Sequence, residues 1–228
     1  MQVPIFDYCP TSNLLHIQIN KIFYMISYFH LVLAPPTPCA ILSNLIFIIF
    51  KRRGIPLKKR ALMVFSLPEY KEEIGRWLWC LEDVRRTLLT QLNGISQRML
   101  DTKIDERQTI STLLYHIALI EADWLYEEVL VTEWDPEIRS LFSLAVRSED
   151  GFLAHIEGQS LEEHFYRLHK VREAFLSHFR SMDLTDWRKL RILEHYDVTP
   201  EWVVYHLIEH ESHHRGQIFQ LLRELRND

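Results

Sequence analysis

Thr199-Pro200-Glu201-Trp202-Val203-Val204-Tyr205-His206-Leu207-Ile208-Glu209-His210-Glu211-Ser212-His213-His214-Arg215-Gly216-Gln217-Ile218 opens the last segment of the chain, which runs on to about Arg226. Thr199 is an N-cap residue type, and Pro200 falls at N1, where a missing N–H leaves no helical bond unmade. With His210 at zero and about 100° per residue, His206 and His214 lie about 40° to either side. Val203, Leu207 and Leu221 share that sector. The histidines therefore sit on the apolar face, which a helix turns inward. His213, about 60° round, is nearer the edge and stays within reach of it.

Imidazoles at i and i+4 of one helix can both reach one metal ion at about 2.0–2.1 Å. Hydrogen-bonded core histidines are the bland alternative, and for a single residue they are the better reading. An inward i, i+4 pair with further histidines beside it points to a metal. The pair does not complete a site, so a third ligand is expected from another helix. His116 is the first candidate, about 60° from the centre of the apolar stripe of its helix. His164 is the reserve. His155, His169, His178 and His195 carry no functional reading.

His210-Glu211-Ser212-His213-His214 also fits the H-E-x-x-H pattern of zinc proteases, in which the glutamate is the general base. Those enzymes take a third ligand well downstream. Here the same helix simply continues, and Glu224 lies about 15 Å along its axis from His214. No edge strand is available to align a peptide. The protease reading is weak.

Working back along the chain, Ser160-x-x-Glu163 is a capping box before a helix striped by Leu161, Phe165, Leu168, Phe175 and Phe179. Asp135-Pro136-Glu137 opens a shorter helix expected to end near Arg147. A helix from about Thr109 to Leu130 carries Ile110, Leu113, Ile117, Ile120 and Trp124 on one stripe. Before it, Ile74, Leu78, Leu81, Val84, Leu88 and Leu92 recur at helical spacing, and Asn93-Gly94 supplies the stop. No window alternates as a strand does. The predicted fold class is all-α, a four-helix bundle over residues 63–228.

Charge divides the chain. Residues 1–62 carry +6 and residues 63–228 carry −11, and all six tryptophans follow Met63. An acidic domain without a basic stripe argues against nucleic-acid binding. The uncharged run between Lys21 and Lys51 is cut by Pro35, Pro36 and Pro38 into pieces shorter than the roughly 20 residues of a spanning helix. Met63 is the expected start of the protein, with residues 1–62 an N-terminal extension translated from a mistaken start. A membrane anchor held by the basic stretch Lys51 to Arg60 is the alternative. Three scattered cysteines, Cys9, Cys39 and Cys80, form no scaffold and suit a reducing cytoplasm.

The stretch from His206 to Ile218 resembles the final-helix signature of the DinB/YfiT-like superfamily. Thr112-Leu113-Leu114-Tyr115-His116-Ile117-Ala118-Leu119-Ile120-Glu121-Ala122-Asp123-Trp124 resembles its second-helix signature. The resemblance covers about Met63 to Asp228; residues 1–62 have no counterpart. It implies a metal-binding four-helix bundle, often a homodimer, with His116, His210 and His214 as ligands of a divalent ion: zinc, nickel, iron or manganese. Characterised relatives include transferases and isomerases that use bacillithiol or mycothiol, and other members are known as stress-inducible proteins. The implied function is a thiol-dependent S-transferase acting on small electrophiles in stress response or detoxification. A non-catalytic metal-binding homodimer is the alternative. Around the site, Gln217 is expected to donate a hydrogen bond, Gly216 either to admit a close neighbour helix or simply to be tolerated, and Glu121 either to support the metal or to pair on the surface.

Overall fold

The computed structural model describes residues 61–105, 108–144 and 153–226. The N-terminal extension expected over 1–62 lies outside them, but for its last two residues. Every element below belongs to the unit Leu62–Asp228.

The first long helix, α1, spans Glu72–Leu92 and buries the whole expected stripe from Ile74 to Leu92. Asn93 ends it, and Gly94 follows at φ +76°, a left-handed turn that glycine enters without strain. A short α2, Gln97–Asp101, then leads to α3 at Ile110–Asp123. Thr109 caps α3 by accepting from the Thr112 amide at 3.1 Å. Nearly every residue of α3 is buried, not one stripe alone, because it lies against two other long helices, Leu161–Phe179 and Pro200–Leu225.

At Trp124 the α-helix widens into a π-helix that runs over Trp124–Leu130. The expected helix therefore has the right length, but its last seven residues are π. The wider turn buries Leu125, Tyr126, Glu128 and Val129 together, and it stops at Val131, whose φ of +51° is left-handed. The next helix, α4, is Pro136–Ser140 and does not extend toward Arg147. Tight i→i+3 bonds close it, from Leu141 to Ile138 and from Phe142 to Arg139. Tyr115 Oη then donates to the Leu144 carbonyl and accepts from the Leu144 amide, turning the chain away.

Helix α5, Leu161–Phe179, has both halves of the capping box: Glu163 N–H to Ser160 Oγ at 3.2 Å and Ser160 N–H to Glu163 Oε2 at 2.7 Å. Its inward face is rotated from the expected stripe. Leu168, Phe175 and Phe179 are buried, yet His164, Arg167, Val171 and Arg172 are buried with them while Leu161 and Phe165 are half-covered. A short α6, Leu184–Trp187, precedes a two-stranded antiparallel ribbon, β1 Arg191–Ile192 and β2 Asp197–Val198. Two-residue strands are too short to show alternation in sequence. Thr199 caps the last helix, α7, Pro200–Leu225.

The four long helices make the bundle. Helix α1 packs chiefly on α7 and more lightly on α5, and α3 packs on α5 and α7. That order places α1 across from α3, and sets α3 and α7 side by side with their histidine positions facing. No helix among the described residues is long and apolar enough to cross a membrane.

Candidate metal centre

Three of the predicted residues come together. His210 Nε2 lies 3.1 Å from His116 Nε2 and 3.1 Å from His214 Nε2. One ring nitrogen from each of the three histidines falls within a 4.8 Å group, with room for a metal ion. Tetrahedral ligation at about 2.0–2.1 Å separates nitrogens by roughly 3.3–3.4 Å, so small ring movements would complete it.

The donor chemistry fits. Gln217 Oε1 accepts from His214 Nδ1–H at 2.8 Å, which leaves the His214 Nε2 lone pair facing the group. Gln217 is thus an acceptor toward His214, not the donor expected. Burial first, and then the neighbouring His214 and His116, push His210 down to about 2, so its ring is neutral near pH 7. Burial also lowers His214. Imidazole nitrogens that converge at this spacing can share one cation.

The other candidates go elsewhere. His164 is fully buried, but its Nδ1 faces Arg167 Nη1 at 3.3 Å; burial and then the Arg167 charge push it down to about 4. His206 stacks on Trp202, ring centroids 5.1 Å apart and planes within 5°, and its ring lies 4.5 Å from that of Trp124, tilted by 44°. His213 is exposed, with its ring 5.1 Å from that of His214. A cavity of about 530 Å³ opens beside the Trp124–Trp202 pair, also lined by Leu190, Tyr196, Asp197, Val198 and Thr199.

Glu211 is not placed to serve as a base. Its carboxylate receives Arg85 Nε at 2.6 Å and Arg172 Nη2 at 3.0 Å. Glu121 takes the same two arginines, Arg85 Nη2 at 2.6 Å and Arg172 Nη2 at 2.9 Å, so it neither faces the metal nor pairs on the surface. Burial would raise Glu121, but Arg172 and then Arg85 outweigh it and hold the carboxyl below its usual range. One member comes from each long helix: Arg85 on α1, Glu121 on α3, Arg172 on α5 and Glu211 on α7. The sequence signal for the arginines was position: Arg85 sits among Leu81, Val84 and Leu88, and Arg172 among Leu168, Val171 and Phe175.

A family model described as mycothiol-S-transferase matches residues 78–227. The chain belongs to the mycothiol-S-transferase family. The match begins within α1 and takes in all three clustered histidines, and it places this family member within the DinB/YfiT-like superfamily that the two helix signatures resemble. No match is found among curated proteins. The mycothiol-S-transferase family is one of thiol-dependent transferases, and His116, His210 and His214 could hold a metal ion.

Proposed function

We propose that this protein is a divalent-metal-dependent S-transferase that joins a low-molecular-weight thiol to a small electrophile, in the cytoplasm and as a homodimer, in stress response or detoxification. The observation that carries the reading is the convergence of three histidine Nε2 atoms in a member of the mycothiol-S-transferase family. His116, His210 and His214 are the proposed ligands of zinc, nickel, iron or manganese. A divalent ion bound there favours the thiolate of a coordinated thiol near neutral pH.

The chain's own part is to hold three imidazoles in register and to fix the His214 tautomer through Gln217. Cys80, the cysteine among the described residues, lies on α1 half-buried, and burial raises its thiol. It is a poor nucleophile, so the reacting sulfur belongs to the cosubstrate. That sulfur forms the new carbon–sulfur bond, the leaving group departs with its bonding pair, and the thiol proton is released.

The test is metal content by inductively coupled plasma mass spectrometry on the untagged full chain beside His116→Ala and His214→Ala. Roughly one ion per chain, lost in both variants, is expected. Reconstituted protein should then accelerate thioether formation between mycothiol or bacillithiol and 1-chloro-2,4-dinitrobenzene. Wild-type protein that rejects all four metals overturns the reading.

A further inference from the structure

The cavity beside the Trp124–Trp202 pair has a composition that the three histidines do not explain. Its walls are aromatic: Trp124 and Trp202 stand 5.4 Å apart between ring centroids, and Trp124 and Tyr196 stand 6.4 Å apart. Trp202 and Tyr196 leave 46% and 47% of their surface open, a large amount of aromatic area for water to cover. Behind this wall lies an acid. Tyr196 Oη donates to Glu128 Oε1 at 2.8 Å, and Glu128 is only 7% exposed. Its second oxygen, Oε2, is buried and makes no hydrogen bond among the described residues.

Carboxylates stand on the lining and behind it. Asp197 is in the lining, and Asp123 and Glu127 both act on Glu128 to oppose its ionisation. Two nearby guanidinium groups are already engaged: Arg191 gives Nε to the Val129 carbonyl at 3.0 Å and Nη2 to Asp186 at 3.2 Å, and Arg188 pairs with Glu73 and Glu201. Burial raises Glu128 to about 7, so a positive charge brought near it would be favoured by drawing it into the ionised form. An anion would meet repulsion here. A neutral apolar molecule would use the rings and leave the acids uncompensated. A cation uses both, through the ring faces and through the carboxylates.

We propose that the cavity bounded by Trp124, Tyr196 and Trp202 binds a small organic cation, an alkylammonium head on an apolar stem. Resting on the thiol-transfer reading, it is the subsite for the non-reacting end of a substrate. Trp124 lies eight residues beyond His116 and Trp202 eight residues before His210, about 12 Å from the metal centre along each helix. The ring of His206 occupies the space between, stacked on Trp202, tilted against Trp124 and 6.0 Å from the ring of His210.

Choline and its uncharged isostere 3,3-dimethylbutan-1-ol, titrated calorimetrically into the full chain, test this directly. Choline binding roughly ten-fold more tightly than the alcohol is expected, in line with a desolvated cation–π contact. Glu128→Gln should reduce that ratio while leaving the alcohol unchanged, and Trp202→Ala, at a half-exposed position, should weaken both. Equal affinities, or no binding of either, overturn the proposal. So does light scattering in which Trp202→Ala turns a dimer into monomers while choline fails to bind, since a second copy would then cover the rings. The same titration on His214→Ala separates the two readings. Lost metal with retained choline binding leaves the cation site standing by itself, and bound metal without choline binding sinks only the cation site.

Discussion

His214 is held from behind. Its Nδ1–H donates to Gln217 Oε1 one helical turn further along α7, and this bond decides which nitrogen faces the cluster. Gln217→Ala should therefore lower metal affinity by about 10–100-fold without removing a ligand. Competition against a chromophoric zinc chelator reads that change, and an unaltered affinity would show that the tautomer is set by something else. The facing of His210 and His214 was legible because 3.6-residue periodicity converts spacing into direction, and both share a sector with Val203 and Leu207. Periodicity alone left His116 and His164 both open as the third member. The direction of the Gln217 bond was not legible, since an amide can donate or accept and only the partner decides. Arg85 and Arg172 were hidden for a different reason: a long side chain on an apolar stripe can snorkel to water, and nothing in sequence shows four helices supplying it with partners.

Elements were read well where a cap residue marks them. Thr109, Ser160 and Thr199 each accept from the amide three residues on, and α3, α5 and α7 begin where those residues require. Ends governed by distant contacts were read less well. The short reach of α4 depends on tight turns and on Tyr115 from another helix, and the π-helix after Asp123 left no periodic trace over seven residues. Gly216 gives a prediction at this scale. A glycine inside α7 suggested a close neighbour, yet an added Cβ would meet nothing within 4 Å. Gly216→Ala should accordingly raise stability by about 1 kcal/mol, measured by urea unfolding. A loss of stability would mean that a partner surface comes closer in solution.

For the molecule as a whole, four buried charges matter more than their number suggests. Removing one partner of a buried ion pair costs about 3–5 kcal/mol because the remaining charge is stranded, and Glu121→Gln should show a loss of that size near pH 7. Its pH dependence has a definite sign. Glu121 is depressed in the folded state, so its contribution is complete above the ordinary glutamate value of 4.5 and drains away as pH falls through the lower folded value. Wild type should thus lose stability on acidification, and Glu121→Gln should be flatter across that range in chemical denaturation at several pH values. Since α1, α3, α5 and α7 each contribute one charge, no helix can peel away alone without leaving an opposite charge bare in an apolar interior. The penalty falls on every half-open form and spares both the closed chain and the fully unfolded one. The bundle should open as one cooperative unit, its slowest amide protons on all four helices exchanging together.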